Sequence, residues 1–571
     1  MSLIDWLVLT VTLLSIVLYG IWQSRGTKDL SGYLLADRKL PWYHVGLSVM
    51  ATQASAITFL SAPGQSYHDG LRFIQFYFGL PLAMIVLCIT FIPIFKNLNV
   101  YTAYEYLEKR FDNKTRSLTA FLFLLQRGLS TGITLYAPAI ILSTILNTDI
   151  NYMIIFTGLI VISYTVYGGT KAVSHTQMLQ MAIIFGGLFL SAYLVVHMLP
   201  DGVGFPEALR IAGKMNKLNA IDTNFDLSNK YNIWSGLIGG FFLQLSYFGT
   251  DQSQVGRYLT GKSTTQSRLG LIMNGLLKIP MQFLILLIGT LVFVFYQFHE
   301  APVFFNKVEV SRIENSPYKE EFRTLEQEYQ IAFSEKKQLV DQMVTAISHK
   351  DETSIDATGL LLQEKELEMT GIRKKVPELL EKNNPKADTN DGNYIFLRFV
   401  TEHFPKGGIG LLIAIIFLAA MGSTASGLNS LASTTVVDFY KRILKKEETE
   451  ARYLSVSRKV TVGWGLFCIV TGIYASKLGN LIEAVNVLGS LFYGTILGIF
   501  LVAFYVKQIK GKAVFYGALI AEAFIIYAWI IDLTAFLWLN VIGCLLVMGI
   551  SYGLQTVFDL SGKKQENPPA E

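Results

Sequence analysis

Ser423, Ser426, Ser430 and Ser433 recur at helical spacing in the stretch AAMGSTASGLNSLASTTVVDFYKR, residues 419–442, and Ala419 extends their stripe by one turn. The preceding GIGLLIAIIFL is apolar enough to lie in a membrane. A soluble amphipathic helix would carry Leu or Ile on that stripe. Small hydroxyl residues there face either a closely packed helix or something small and polar. Two further apolar runs are interrupted by polar residues. ATQASAIT, at 51–58, holds Thr52, Gln53, Ser55 and Thr58, and GLIGGFFLQLSYFGTDQSQVGRYL, at 236–259, holds Gln244, Ser246, Thr250, Asp251 and Gln252 among glycines. An interrupted helix frees backbone carbonyls, which together with hydroxyls can replace water around a cation.

Other chemistries find little support in the sequence. There is no P-loop, so ATP is not the expected energy source. No His/Glu or Cys/His cluster has metal-ligand spacing. No nucleophile–base pair stands out, so an intramembrane enzyme is not expected. His175 stands alone near a helix start, which reads as structural. Arg127 and Lys278 fall inside apolar runs, where a cation is costly unless it is paired or faces water. Each serves either a structural partner or, if both face one pocket, an anionic solute.

The elements that must position these residues follow from composition. The chain is 51% hydrophobic and 16% charged, with a mean hydropathy of +0.41, which is a membrane composition. Continuous apolar runs long enough to cross the hydrocarbon as helices are read at 3–22, 42–64, 73–95, 117–146, 151–168, 175–198, 232–252, 269–297, 406–440, 456–477, 479–505, 513–532 and 535–555. Barrel strands would alternate instead. Basic residues gather in alternate loops: Arg25, Lys28, Arg38 and Lys39; Lys109, Arg110, Lys114 and Arg116; Arg257, Lys262 and Arg268; Lys441, Arg442, Lys445 and Lys446; Lys507, Lys510 and Lys512. The positive-inside rule then places the N-terminus outside and the tail SGKKQENPPAE inside a plasma or bacterial inner membrane. The first run carries Asp5 near its start and has no basic leader, so it is expected to be a span and not a secretory signal.

Cys88, Cys468 and Cys544 are scattered in apolar runs and read as small buried hydrophobes, neither a disulfide framework nor a metal site. The net charge of +5 is explained by the basic loops and gives no argument for nucleic acid. Residues 305–391 are rich in Glu and Lys. Leu325, Tyr329, Phe333, Leu339, Met343 and Ile347 form a loose helical stripe, and LLLQEKELEMTGIRKKVPELLEK offers a second helix. An external helical hairpin is expected; a disordered charged insert is the alternative.

The interrupted runs 42–64 and 232–252 begin two sets of five spans, which have opposite orientations because five is odd. Inverted repeats whose first helices break near the midplane are a transporter arrangement. The stretches YLLADRKLPWYHVGLSVMATQASAITFLSAPGQSYHDG, IPIFKNLNVYTAYEYLEKRFD, YTVYGGTKAVSHTQMLQ, DQSQVGRYLTGKS and GSTASGLNSLASTTVVDFYKR resemble the solute:sodium symporter family, over nearly the whole chain except 305–391. The resemblance implies an all-α, five-plus-five inverted-repeat membrane fold with extra peripheral helices, and sodium-coupled solute uptake by alternating access. The expected division is a first helix and loop at 1–41, a first repeat at 42–198, an external loop at 199–231, a second repeat at 232–304 and 392–505 split by the insert, peripheral helices at 506–555 and a cytoplasmic tail at 556–571.

Carried over by motif, the resemblance assigns sodium to the carbonyls of Ala51, Ala54 and Ala419 and the hydroxyl of Ser423. Gly422 stands where the family usually has a second hydroxyl, and Thr424 supplies one if the register shifts by one. A second sodium site of some members uses an Asp where this chain has Gln177 and a hydroxyl where it has Ala425, although Ser426 remains; one sodium is expected. By position, Gln53, Thr58, Tyr77, Gln244, Lys278 and Asn486 line the solute pocket, Tyr247 is the inner-gate tyrosine and Phe248 stacks beside it. Thr58 and Tyr77 depart from the ligands of sugar-transporting relatives. The resemblance thus implies import of a small organic solute or anion with Na+. The other reading is a non-transporting sensor on the same fold, with the insert docking an extracellular or periplasmic partner.

Overall fold

The computed structural model describes residues 1–24, 30–385, 387–444, 448–475 and 478–566. Arg25, Lys28, Lys445, Lys446 and the end of the tail, 567–571, lie outside the described residues. Among the described residues there is no β-strand, only an isolated bridge between Leu40 and Gly261. Ten helices are long and apolar enough to cross a membrane.

Helix α1 covers Leu3–Ser24. The expected span 42–64 is divided into α2, Trp42–Gln53, and α3, Ala56–Asp69. Ala54 (φ −81°, ψ 80°) and Ser55 (φ −83°, ψ 172°) leave helical geometry between them. The polar stretch Thr52–Ser55 explains this, because short polar side chains favour helix ends over helix interiors. The span expected at 73–95 is irregular as well: a 3-10 segment, Gly70–Tyr77, precedes Leu80–Val86, a π-helical turn and Ile92–Asn97. Helix α4 is Asn113–Leu146.

Helix α5, Ile150–His197, is one helical element where two spans were expected. Its 48 residues would reach about 72 Å if straight, more than twice the hydrocarbon thickness. Both of its ends lie on one face of the molecule. Asp149 pairs with Arg312 at 3.3 Å, and beyond the other end Arg210 and Lys214 pair with Glu352 and Asp356 of the same insert. The element therefore crosses and returns, as two spans would. We call this the hairpin face.

The second interrupted span is a π-helical turn, Ser235–Gly239, then α6, Gly240–Thr250, and α7, Gln252–Tyr258. Asp251 (φ −79°, ψ 118°) makes the break and caps α7, its carboxylate accepting from the Ser253 N–H at 2.8 Å. Helix α8 is Thr264–Phe298. The charged insert forms a helical hairpin of α9, Lys319–His349, and α10, Glu352–Asn383, turned at Lys350 (φ 56°). Tyr329, Phe333, Met343 and Ile347 are buried in it as the stripe implied, with Val340 in place of Leu339, and Lys336 pairs with Glu366 at 2.6 Å. The remaining long helices are α11, Gly408–Thr434, continued by a π-helical segment to Leu444; α12, Glu450–Tyr474; α13, Leu481–Tyr505; α14, Gly511–Ile530; and α15, Phe536–Glu566.

The two broken helices run in opposite directions. The start of α2 is at the face away from the hairpin, where Leu40 N–H donates to the Thr260 carbonyl at 3.1 Å and Lys262 N–H to the Leu40 carbonyl at 3.0 Å. The end of α3 is at the hairpin face, where Lys217 Nζ donates to the His68 carbonyl at 2.6 Å. Near it, the loop after the hairpin lies directly on α3: a Cβ on Gly64 would fall 1.9 Å from the Gly392 carbonyl oxygen. The segment leading into α6 starts beside Gln75, whose Nε2 donates to the Tyr231 carbonyl at 2.9 Å, and α7 ends at the opposite face.

Candidate functional site

The breaks of the two helices meet at one cavity. Gln53, the last residue of α2, donates from Nε2 to Oε1 of Gln244 on α6 at 3.4 Å, and its own Oε1 is buried without a partner. Six of the sequence-predicted solute residues line this cavity: Gln53, Thr58, Tyr77, Gln244, Tyr247 and Asn486. Two do not. Phe248 is buried behind Tyr247, ring centroids 4.9 Å apart. Lys278 is fully buried, its Nζ 5.6 Å from the centroid of the Tyr77 ring and without a hydrogen-bond partner. It packs near Tyr77, a cavity residue, and does not itself line the cavity.

The cavity is closed toward the opposite face by a polar cluster. Arg127 of α4 lines it, and Arg127 Nε donates to Asp251 Oδ2 at 3.0 Å. Tyr493 of α13 also lines it; its hydroxyl donates to Asp251 Oδ2 at 2.8 Å and accepts from Arg127 Nη2 at 2.8 Å. The guanidinium lies 5.4 Å from the Tyr247 ring centroid, and the Tyr247 hydroxyl accepts from Gln254 at 2.6 Å. Sequence reasoning marked Arg127 as an intramembrane cation needing a partner, and Asp251 is that partner. Tyr493 carried no signal, because an aromatic residue in an apolar run reads as core.

Of the predicted cation residues, Ala51 and Ala54 lie at the α2 break and Ala419, Ser423 and Thr424 on α11, which adjoins it. Thr52 Oγ1 and Ser426 Oγ are 3.1 Å apart, which fixes that junction. In a continuous helix the Ser55 N–H would donate to the Ala51 carbonyl. Here it donates to the Gln53 carbonyl at 3.0 Å, and Ala54 N–H closes the last regular turn on the Met50 carbonyl at 2.8 Å. The Ala51 carbonyl has thus lost its regular donor. On α11, Ser423 Oγ donates to the Ala419 carbonyl at 2.9 Å, keeping its lone pairs for another donor or a cation. Thr424 Oγ1 is buried and has no hydrogen-bond partner. Carbonyl and hydroxyl oxygens are the ligands a hard cation takes, and an orphaned buried hydroxyl is otherwise a cost.

The neighbouring position, where Gln177 replaces an expected carboxylate, is filled by donors. Gln177 Nε2 lies 3.2 Å from Thr52 Oγ1, 3.2 Å from the Gly422 carbonyl and 3.0 Å from Ser426 Oγ, and its Oε1 accepts from Ser48 at 2.6 Å. Arg257 Nη2 donates to Ser426 Oγ at 2.8 Å. These oxygens are already engaged. Below them His175, isolated in the sequence, packs edge-on against His44 with ring centroids 4.6 Å apart.

Two antiparallel discontinuous helices that meet at a polar cavity within a helical bundle define the inverted-repeat class of secondary transporter folds. The chain belongs to the sodium:solute symporter family, matching it over residues 33–314 and 379–521, with most of the hairpin falling between the two stretches. The human sodium/iodide cotransporter is 32% identical over 274 residues, 47% of this chain but only 42% of that protein. The sodium/glucose cotransporter of Vibrio parahaemolyticus is 26% identical over 92% of this chain and 85% of its own length. The sodium/sialic acid symporter of Aliivibrio fischeri is 24% identical over 96% of this chain and 92% of its own. The solved substrate-bound, outward-open structure of a Na+-coupled sialic acid symporter shares the fold, with a TM-score of 0.75 at 22% identity over 97% of this chain and 98% of that one.

Proposed function

We propose that this protein is a sodium-coupled symporter that carries a small organic solute by alternating access. The observation that carries the reading is the juxtaposition of two sites on one broken helix. The α2 break turns Gln53 toward the cavity, and two residues earlier the Ala51 carbonyl has lost its helix donor where α2 meets α11 through Thr52 and Ser426. On this reading Ala51, Ala54, Ala419, Ser423 and Thr424 hold sodium. Gln53, Thr58, Tyr77, Gln244, Tyr247 and Asn486 hold the solute. Sodium fixes α2 against α11, which steadies the cavity lining that belongs to α2.

Sodium flowing inward releases about 2.3 kcal/mol per charge for each 100 mV of membrane potential, enough to carry a solute uphill. The basic loops support an orientation with the hairpin outside and the tail in the cytoplasm, in a plasma or bacterial inner membrane. Relatives named for sodium-coupled transport support the cation. The test uses the purified full chain in detergent. Its melting temperature is expected to rise when potassium is replaced by sodium, and a solute library is expected to yield ligands whose stabilisation needs sodium. Identical melting curves in the two salts, with every solute, overturn the reading.

A further inference from the structure

Among the described residues Arg127 is the one charged residue lining the solute cavity, and its charge is already met. The Asp251 carboxylate is fully buried behind it. Asp251 Oδ2 accepts from Arg127 Nε and Nη2 and from the Tyr493 hydroxyl, and Oδ1 accepts from the Ser253 N–H at 2.8 Å and the Ser253 hydroxyl at 2.6 Å. The carboxylate is anchored at the start of α7 by backbone and side chain together, so it cannot swing away to release the guanidinium without uncapping that helix. A solute carboxylate entering the cavity would approach Arg127 and meet a fixed carboxylate in the same step, where little water screens the repulsion. The other lining groups are neutral amides, hydroxyls and apolar side chains.

We propose that Asp251 is a specificity-determining residue: it cancels the charge of Arg127, so the cavity selects an uncharged polar solute, hydroxylated or amide-bearing, over a carboxylate of the same shape. The inference rests on the reading that this cavity holds the solute.

The experiment uses matched pairs differing in one carboxylate: galactose and galacturonate, glucose and glucuronate, nicotinamide and nicotinate, lactamide and lactate. Each is added to the purified full chain in sodium and in potassium, with melting temperature as the readout and uptake into proteoliposomes as the check. The wild-type protein should show sodium-dependent stabilisation with neutral members only. Asp251→Asn should gain binding of the matching anions by about tenfold or more, since the uncovered guanidinium gains a charge-assisted partner. Asp251→Glu keeps the charge and should keep the neutral preference, which guards against an Asn variant that misfolds. A wild-type preference for an anionic member overturns the proposal. So does an Asp251→Asn protein that folds without gaining anions, or a panel in which no neutral member stabilises a protein that still responds to sodium. Loss of the sodium response itself, in the wild type, would instead strike the symport reading.

Discussion

Gln177 Nε2 and Ser426 Oγ lie 3.0 Å apart across the α5–α11 contact, with Arg257 donating to the same hydroxyl from the other side at 2.8 Å. A hydroxyl that accepts from two such donors has no lone pair left for a cation. The Thr52 hydroxyl and the Gly422 carbonyl are drawn to the same amide.

One cation per cycle is the expected outcome. Sodium activation of uptake is expected to be hyperbolic. A charge-to-solute ratio measured in proteoliposomes is expected to require a single sodium once the solute charge is known. Gln177→Asp removes the donor and supplies a carboxylate among these oxygens, and it should add one charge per solute. A wild-type ratio that needs two sodiums would show that other oxygens form a second site.

Thr424 gives a sharper test of the cation site than Ser423. Its buried hydroxyl has no partner, so Thr424→Val removes an unsatisfied polar group at nearly constant volume. In potassium the variant is expected to melt at or above the wild-type temperature. In sodium its gain should be smaller than that of the wild type. Ser423→Ala should weaken sodium activation as well, but it also removes a hydrogen bond to the Ala419 carbonyl. If Thr424 only packs, the sodium-induced shift of the Val variant will match the wild type.

The electrostatics of the hairpin face predict a pH effect on stability. Asp388 lies in the loop after the hairpin, and burial raises its carboxyl from the usual aspartate value near 3.8 to about 6. The Tyr136 and Tyr394 hydroxyls donate to it at 2.9 and 2.7 Å and oppose that rise. Between the two values the folded chain binds more protons than the unfolded one. Stability at this site therefore declines as pH rises from about 4 to about 6 and is flat above. The full effect is up to about 3 kcal/mol. Asp388→Asn keeps an acceptor for the tyrosines without the charge. Relative to wild type it should gain melting temperature across that interval; a difference that does not vary with pH would remove Asp388 as the cause.

The breaks in α2 and α6–α7 were legible because Thr52, Gln53, Ser55 and Asp251 interrupt apolar runs, and hydrophobicity and interruption are local properties of the chain. The amides of the cavity were legible for the same reason. Three things were not. The irregular segment from Gly70 to Phe91 reads as ordinary apolar sequence, since π-helical turns depend on what packs outside them. The pairing of Arg127 with Asp251 joins residues 124 positions apart, which spacing cannot reveal. Lys278 carried the right residue type for a solute ligand, but Tyr77, 5.6 Å from its Nζ, lines the cavity and Lys278 does not, and only tertiary packing decides which of two neighbours reaches it.

The last prediction concerns coupling. Gln53 ends α2 and lines the cavity proposed for the solute, while Ala51, two residues earlier, has a carbonyl without its helix donor, proposed as a cation ligand. Sodium and solute thus order the same few residues of backbone, and each should find that ordering partly done by the other. Linkage makes the effect reciprocal: sodium raises solute affinity by the factor by which solute raises sodium affinity, a coupling of about 1–3 kcal/mol in typical cases. Gln244 lies on the other broken helix and faces Gln53 at 3.4 Å, so it touches the solute side only. Gln244→Ala should weaken solute affinity about tenfold, as loss of a buried hydrogen-bond partner does, and leave the sodium-induced melting shift without solute nearly unchanged. Gln53→Ala should weaken solute affinity and also reduce the mutual enhancement, because its backbone is shared. Calorimetric titrations of the identified solute in sodium and in potassium measure both factors. Equal solute affinity in the two salts for the wild type would sink the coupling, and wild-type affinity in both variants would move the solute elsewhere.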